Sequence, residues 1–282
     1  MKRLSCLLSL FLALALTLPV FAFADDDDEL TMEDLIIEDV TYDNTPWSFP
    51  VDLVDLDPTF IRLANKHYLL DKGFIPYPLV TVKTLKLDKD GNNTNGGVLK
   101  AGSGDMKLQE TCAAALSKLC DAARADGYNL YLKSAYRSYQ TQNTMYSNRL
   151  KKNNGKDDGW VAKPGSSDHQ TGLGCDVVPK SWRDKPMNGK MGAEPECQWM
   201  AAHCHEYGFI LRYPQDKENV TEINYEPWHL RYVGIPVATY IMQNGLCLEE
   251  FNDQLQQSIT DFLNAGGSRE LVEKLIQTPN AA

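Results

Sequence analysis

The chain has 282 residues, of which 43% are hydrophobic, and a formal net charge of −10. An acidic balance of this size offers little to neutralise phosphates, which argues against nucleic acid as a partner. Length and apolar content suffice for one large domain with appendages.

In chain order, Lys2 and Arg3 precede an apolar run that ends at Ala22-Phe23-Ala24, ahead of four aspartates. This is the pattern of a secretory signal peptide over residues 1–24. The run is shorter than the ~20 residues of a membrane span, and no later segment reaches that length, so no stable span is expected after cleavage. Cleavage leaves 26 basic side chains (28 less Lys2 and Arg3) against 38 acidic ones, a balance of −12. Residues 25–52 read as an acidic leader or linker. A compact region is expected over 53–246, followed by a helical C-terminal extension over 247–282.

Within the compact region, "ETCAAALSKLCDAARADG" (110–127) has apolar residues at helical spacing and stops at Gly127. "YNLYLKSAYRS" alternates as a strand leading into a loop that holds Arg137, and "SYQTQNTMYSNRLKK" resumes helical character. "LGCDVV" is a short strand and "ECQWMAAHCHEYG" a helix ending at Gly208. "NYEPWHLRYVG" is a strand broken by Pro227, and two amphipathic helices flank Gly266-Gly267. Helices and strands mix without a regular βαβ rhythm, which predicts an α+β fold. The segment "DKDGNNTNGG" (88–97) briefly resembles a calcium loop, but Asn93 and Leu99 stand where glycine and glutamate are needed, leaving a polar hairpin.

Six cysteines lie beyond the signal peptide: Cys112, Cys120, Cys175, Cys197, Cys204 and Cys247. In an exported chain an even count predicts disulfides. Cys112 with Cys120, and Cys197 with Cys204, are separated by too much helical rise to bond internally.

The chemistry-bearing stretch is "GSSDHQTGLGCDVV" (165–178), with His169 and Asp176 seven positions apart and Gly172 and Gly174 allowing the chain to bend between them. Both are zinc-ligand types, although such a pair alone is more often structural. "YEPWHLRY" (225–232) completes a set: His229 as third ligand and Glu226 as general base, with a bend at Pro227 expected to turn both inward. The alternative there is an exposed glutamate and a packed histidine beside Trp228. A metal at such a site lowers the pKa of water, Glu226 takes the proton, and Arg137 supplies fixed positive donors for the oxyanion. His203 and His205 diverge around a helix and cannot easily share an ion, and His67 has no partner pattern.

Together the blocks "LANKHYLLDKGFIP", "SAYRSYQTQ", "SSDHQTGLGCDVV", "YGFILRYP" and "YEPWHLRYVG" resemble the VanY-like D-alanyl-D-alanine carboxypeptidases of the LAS group of zinc peptidases, over roughly residues 63–236. The resemblance implies a small central antiparallel sheet flanked by helices, Zn2+ on His169, Asp176 and His229, Glu226 as catalytic base, and Arg137 as catalytic and substrate-binding. It also implies that Gln142, Ser167 and Trp228 contact substrate, with Tyr146 one helical turn beyond Gln142 as a further candidate. The activity implied is removal of the C-terminal D-alanine from peptidoglycan stem peptides by a secreted, wall-associated protein. The alternatives are an L,D-carboxypeptidase, an endopeptidase of the same group, or a non-catalytic zinc-containing wall-binding module.

Overall fold

The computed structural model describes residues 45–280. The expected signal peptide and residues 25–44 of the leader lie outside that range. In chain order the elements are β1 (Leu79–Thr81), β2 (Leu99–Lys100), β3 (Lys107–Gln109), α1 (Glu110–Ala125), β4 (Leu130–Ser134), α2 (Tyr139–Lys152) and β5 (Gly174–Pro179). There follow α3 (Pro195–His203), β6 (Phe209–Leu211), α4 (Glu218–Thr221), β7 (His229–Tyr232), α5 (Ile235–Gln243), α6 (Leu248–Asn264) and α7 (Arg269–Val272).

Five strands form the central sheet in the order β2-β4-β5-β7-β6, and β1 pairs with β3 in a separate ribbon. The β4-β5, β5-β7 and β7-β6 pairings are antiparallel, while β2 joins β4 in parallel. Every residue of β5 and of β7 is buried, as expected of inner strands covered on both faces.

Helix α1 packs on the sheet because its apolar side chains recur at helical spacing: Cys112, Leu116, Leu119, Cys120 and Ala123 are all buried. They share a core with Leu130 and Leu132 of β4, Val177 of β5 and Leu230 of β7. Helix α2 starts at Ser138, whose hydroxyl accepts from the Thr141 backbone N–H at 3.2 Å. It is largely polar and buries only Gln142, which turns out to matter at the site.

A second core forms where α6 lays Leu248, Phe251, Leu255, Ile259 and Phe262 against Ile210, Val233, Val237 and Ile241. Phe49 and Val51, assigned to the leader by sequence, are buried in this same core, and Trp47 packs edge-on to Phe49 and Phe262. The 247–280 segment therefore shares its packing with the strands that build the sheet. Leu255 has no exposed surface, so Leu255→Ala is expected to lower the unfolding free energy by about 2–5 kcal/mol, measured by urea denaturation.

All six cysteines are free and buried, which corrects the expectation of disulfides. Cys112, Cys120, Cys175 and Cys204 fill the sheet–α1 core and Cys197 lies in a third cluster with Val178, Met191 and Trp228. They behave as small apolar side chains, and burial pushes the thiols up, Cys120 and Cys204 to about 12. The 88–97 segment is a polar hairpin whose Asp88 carboxylate accepts from the backbone of Asp90 and Asn92.

Candidate active site

Asp176 lies in the middle of the sheet, directly opposite Ser134 on β4 and His229 on β7. Cross-strand partners on one face stand close together, so register alone brings Asp176 and His229 into contact. Their Oδ1 and Nδ1 atoms are 3.0 Å apart.

His169 arrives from a different element, the 3-10 turn over 168–171 that precedes β5. Two glycines make this approach possible. Gly172 ends the turn at φ 68°, where a Cβ would lie 2.9 Å from a Leu79 methyl, and a Cβ on Gly174 would lie 3.0 Å from the Asp168 carbonyl carbon. The turn places His169 Nε2 at 3.3 Å from the same Asp176 oxygen. The ligand atoms of His169, Asp176 and His229 all lie within 4.8 Å of one another.

The tautomer of His169 is fixed from behind. Its Nδ1 is 2.7 Å from the Ala135 carbonyl oxygen, which can only accept, so Nδ1 carries the hydrogen and Nε2 is left with its lone pair. Burial, reinforced by Arg137, pushes His169 down to about 4, so the ring is neutral near pH 7. A lone pair thus faces a carboxylate oxygen at 3.3 Å. That buried arrangement is repulsive without a cation between them, and Nε2 has no hydrogen-bond partner among the described residues. Two imidazole nitrogens and one carboxylate, with a hydrogen bond behind one ring, are a fitting donor set for zinc.

Glu226 sits beside this set without belonging to it. The Pro227 bend closes a turn in which the His229 N–H donates to the Glu226 carbonyl at 3.1 Å, and it points both side chains at the site. Glu226 Oε2 lies 3.7 Å from His229 Nδ1, and its side chain keeps 12% of its accessible surface, enough to meet a ligand in the cleft. Burial, with Asp176 nearby, pushes its carboxyl well above the usual range, opposed by Arg137. A raised pKa is what an acid–base group needs to work near neutrality.

Arg137 follows β4, and its backbone N–H donates to the His169 carbonyl at 3.1 Å. Burial pulls the pKa of its guanidinium down, opposed by the charges of Asp176 and Glu226. Gln142 accepts from this guanidinium at 2.9 Å and donates to the Ala162 carbonyl at 2.7 Å. One end of its amide thus braces Arg137 while the other is tied to the backbone, and Gln142 also lines the cleft. Ser167 and Trp228 line the cleft, and Trp228 stacks on Trp160 with ring centroids 6.5 Å apart and planes 13° from parallel.

The cleft over these residues has a volume of about 550 Å³. Trp160, Met145, Met187 and Ile223 give it an apolar side, while Lys133 and Arg149 add positive charge. Tyr213 also lines it, its ring 5.0 Å from that of His229. Sequence reasoning did not single out Trp160 or Tyr213, although Trp160 stands shortly before the 165–178 stretch and Tyr213 lies within the block "YGFILRYP". Tyr146 is not among the lining residues, and its hydroxyl faces Asp157 at 3.4 Å. His203 pairs with Glu206 at 2.8 Å and stacks on Trp199, away from the cleft.

Comparison with known proteins agrees with this geometry. The D-alanyl-D-alanine carboxypeptidase family, VanY, matches residues 105–235, which contain every site residue above. The putative carboxypeptidase YodJ of Bacillus subtilis (strain 168) is 40% identical over 151 residues, 53% of this chain and 55% of its own. VanXYC of Enterococcus gallinarum, a bifunctional D-Ala-D-Ala dipeptidase and carboxypeptidase, is 36% identical over 164 residues, 56% of this chain and 84% of its own. Among solved structures, the LdcB LD-carboxypeptidase superposes with a TM-score of 0.61 at 35% identity, covering 70% of this chain and 87% of that one. The chain spans about half the length of several of its relatives. With the family's segment coinciding with the sheet and turn that gather His169, Asp176, Glu226 and His229, the chain belongs to the VanY D-alanyl-D-alanine carboxypeptidase family.

Proposed function

We propose that the protein is a zinc-dependent carboxypeptidase that removes the C-terminal D-alanine from peptidoglycan stem peptides outside the cytoplasm. The observation that carries this reading is the neutral His169 Nε2 facing the Asp176 carboxylate at 3.3 Å, with a base of raised pKa alongside. His169, Asp176 and His229 would hold the zinc. When bound, zinc supplies a Lewis acid that brings the pKa of water toward ~7.

The remaining work falls to the chain. Glu226, whose carboxylate is partly open to the cleft, accepts the proton of the attacking water and can return it to the departing amine. Arg137, braced by Gln142, presents fixed donors where negative charge develops on the substrate carbonyl oxygen. The Trp160–Trp228 pair gives the cleft a flat apolar wall suited to a small side chain such as a methyl group. No helix among the described residues is long and apolar enough to cross a membrane. The signal-peptide pattern over residues 1–24 supports export, and the family supports a wall substrate.

A second reading is L,D-carboxypeptidase activity on shortened stems, favoured by the likeness to LdcB. The test is incubation of the purified, zinc-loaded protein with pentapeptide and tetrapeptide muropeptides, with released amino acids identified by mass spectrometry. Free D-alanine from the pentapeptide is the expected result. Release from the tetrapeptide alone transfers the assignment to L,D-carboxypeptidase, and internal cleavage to an endopeptidase. Absence of any product leaves a zinc-containing wall-binding module.

A further inference from the structure

Behind the ligands four charged side chains meet in the interior. Asp168, Arg212 and Arg231 have no exposed side-chain surface, and Glu249, from the first turn of α6, keeps 9%. Arg212 donates through Nε to Asp168 Oδ2 at 2.7 Å and forks onto Glu249 at 2.8 and 2.6 Å. Arg231 donates to the other Asp168 oxygen and to the carbonyls of Phe60 and Arg62 at 2.9 and 2.7 Å. None of these groups faces the cleft.

We propose that Glu249 and Asp168 are positioning residues for the metal site, which makes helix α6 a working part of the catalytic unit; this rests on the zinc reading above. Asp168 immediately precedes His169 in the same 3-10 turn. Each arginine ties that turn to the strand pair carrying His229: the Arg212 backbone N–H donates to the His229 carbonyl at 3.1 Å, and Arg231 lies two residues beyond His229 on β7. The two guanidinium groups thus connect the segments that deliver the two histidines.

The turn has little slack with which to absorb a displacement. Thr171 donates through its hydroxyl to the Asp168 carbonyl at 2.6 Å, and Gly174 is packed so closely on Asp168 that even a methyl group would crowd it. A shift of Asp168 is therefore passed to His169. Charge balance points the same way. Two arginines face two carboxylates, and without Glu249 an uncompensated positive charge is left buried beside a ligand that must bind a cation. Arg212 would also lose the fork that fixes its direction.

A purely structural role makes a different forecast, because any equally destabilising change in α6 would then have the same effect at the metal. The test measures zinc affinity of the full chain by competition with a chromophoric chelator, at a temperature where each variant is shown by circular dichroism to be folded. Glu249→Gln is expected to weaken zinc binding at least about 10-fold and, at saturating zinc, to lower kcat more than it changes KM. Leu255→Ala, in the same helix but outside the ion cluster, is expected to bind zinc as the unmodified chain does. Should Glu249→Gln fail to fold, Glu249→Asp enters the same comparison, since one methylene less breaks the fork while keeping the charge. Unchanged zinc affinity in the Glu249 variant, or equal weakening by Leu255→Ala, overturns the proposal. An unmodified chain that binds no zinc overturns the metal reading itself, and this proposal with it.

Discussion

Glu226→Gln is expected to retain zinc at the stoichiometry of the unmodified protein and to lose turnover by about 100- to 10,000-fold, the usual contribution of a positioned acid–base group. The amide has the size of the carboxylate and preserves the turn at Pro227, because that turn is held by the backbone bond from the His229 N–H to the Glu226 carbonyl. Glu226 stands outside the set of converging ligand atoms, so its neutralisation leaves His169, Asp176 and His229 in place. What disappears is proton acceptance. Metal analysis alongside steady-state kinetics on a pentapeptide checks both halves, and full activity with normal zinc content would sink the assignment of Glu226 as base.

His229→Ala is expected to abolish both metal binding and activity. It removes one of three ligands, and it also leaves the Asp176 carboxylate without its 3.0 Å neighbour in the middle of the sheet. Two remaining ligands at one buried point do not retain zinc against a chelator. Zinc content by atomic absorption should fall to background while circular dichroism still reports a folded chain. A variant that kept a full equivalent of metal would remove His229 from the site. The two substitutions, three residues apart in sequence, therefore separate proton transfer from metal retention.

Much of this site was legible from residues because each ligand sits in a short stretch whose other members have physical jobs. Gly172 and Gly174 announce a tight approach, Pro227 announces a bend, and the structure uses all three in that way. Helix α1 was legible for a simpler reason, since its apolar residues recur at helical spacing and Gly127 marks its end; its packing on the sheet came only with the structure. The ion cluster could not be seen. Asp168, Arg212, Arg231 and Glu249 are scattered over eighty residues, and in a sequence each looks like an ordinary surface charge. Only the fold, which brings the 168–171 turn, the strands β6 and β7 and the start of α6 together, makes them neighbours.

The cysteines misled for the opposite reason. An even count in an exported chain is a statement about compartment, whereas the burial of Cys112, Cys120, Cys175 and Cys204 in one apolar cluster is a statement about volume. Nothing in their spacing distinguishes a bridge from a filler. Gln142 shows a subtler limit. Its presence at the site was readable, but its bracing of Arg137 depended on where the Ala162 carbonyl and Arg137 fall, twenty residues away on one side and five on the other.

The pairing of Asp176 with His229 across β5 and β7 has a bearing on how such a protein can vary. Two of the ligands are matched by strand register, a property of the ladder that is indifferent to how much chain connects the rungs. Met187, Asn188, Tyr213 and Ile223, which shape the cleft, all belong to the stretch between those strands. Away from Arg212 and Glu226, which lie in the same stretch, loops there can lengthen, shorten or change residue type without altering the separation of the ligands, provided no residue is added within the ladder itself. The metal cradle and the substrate wall are in this sense separately heritable, and a new preference for peptide can be acquired while the chemistry is left untouched.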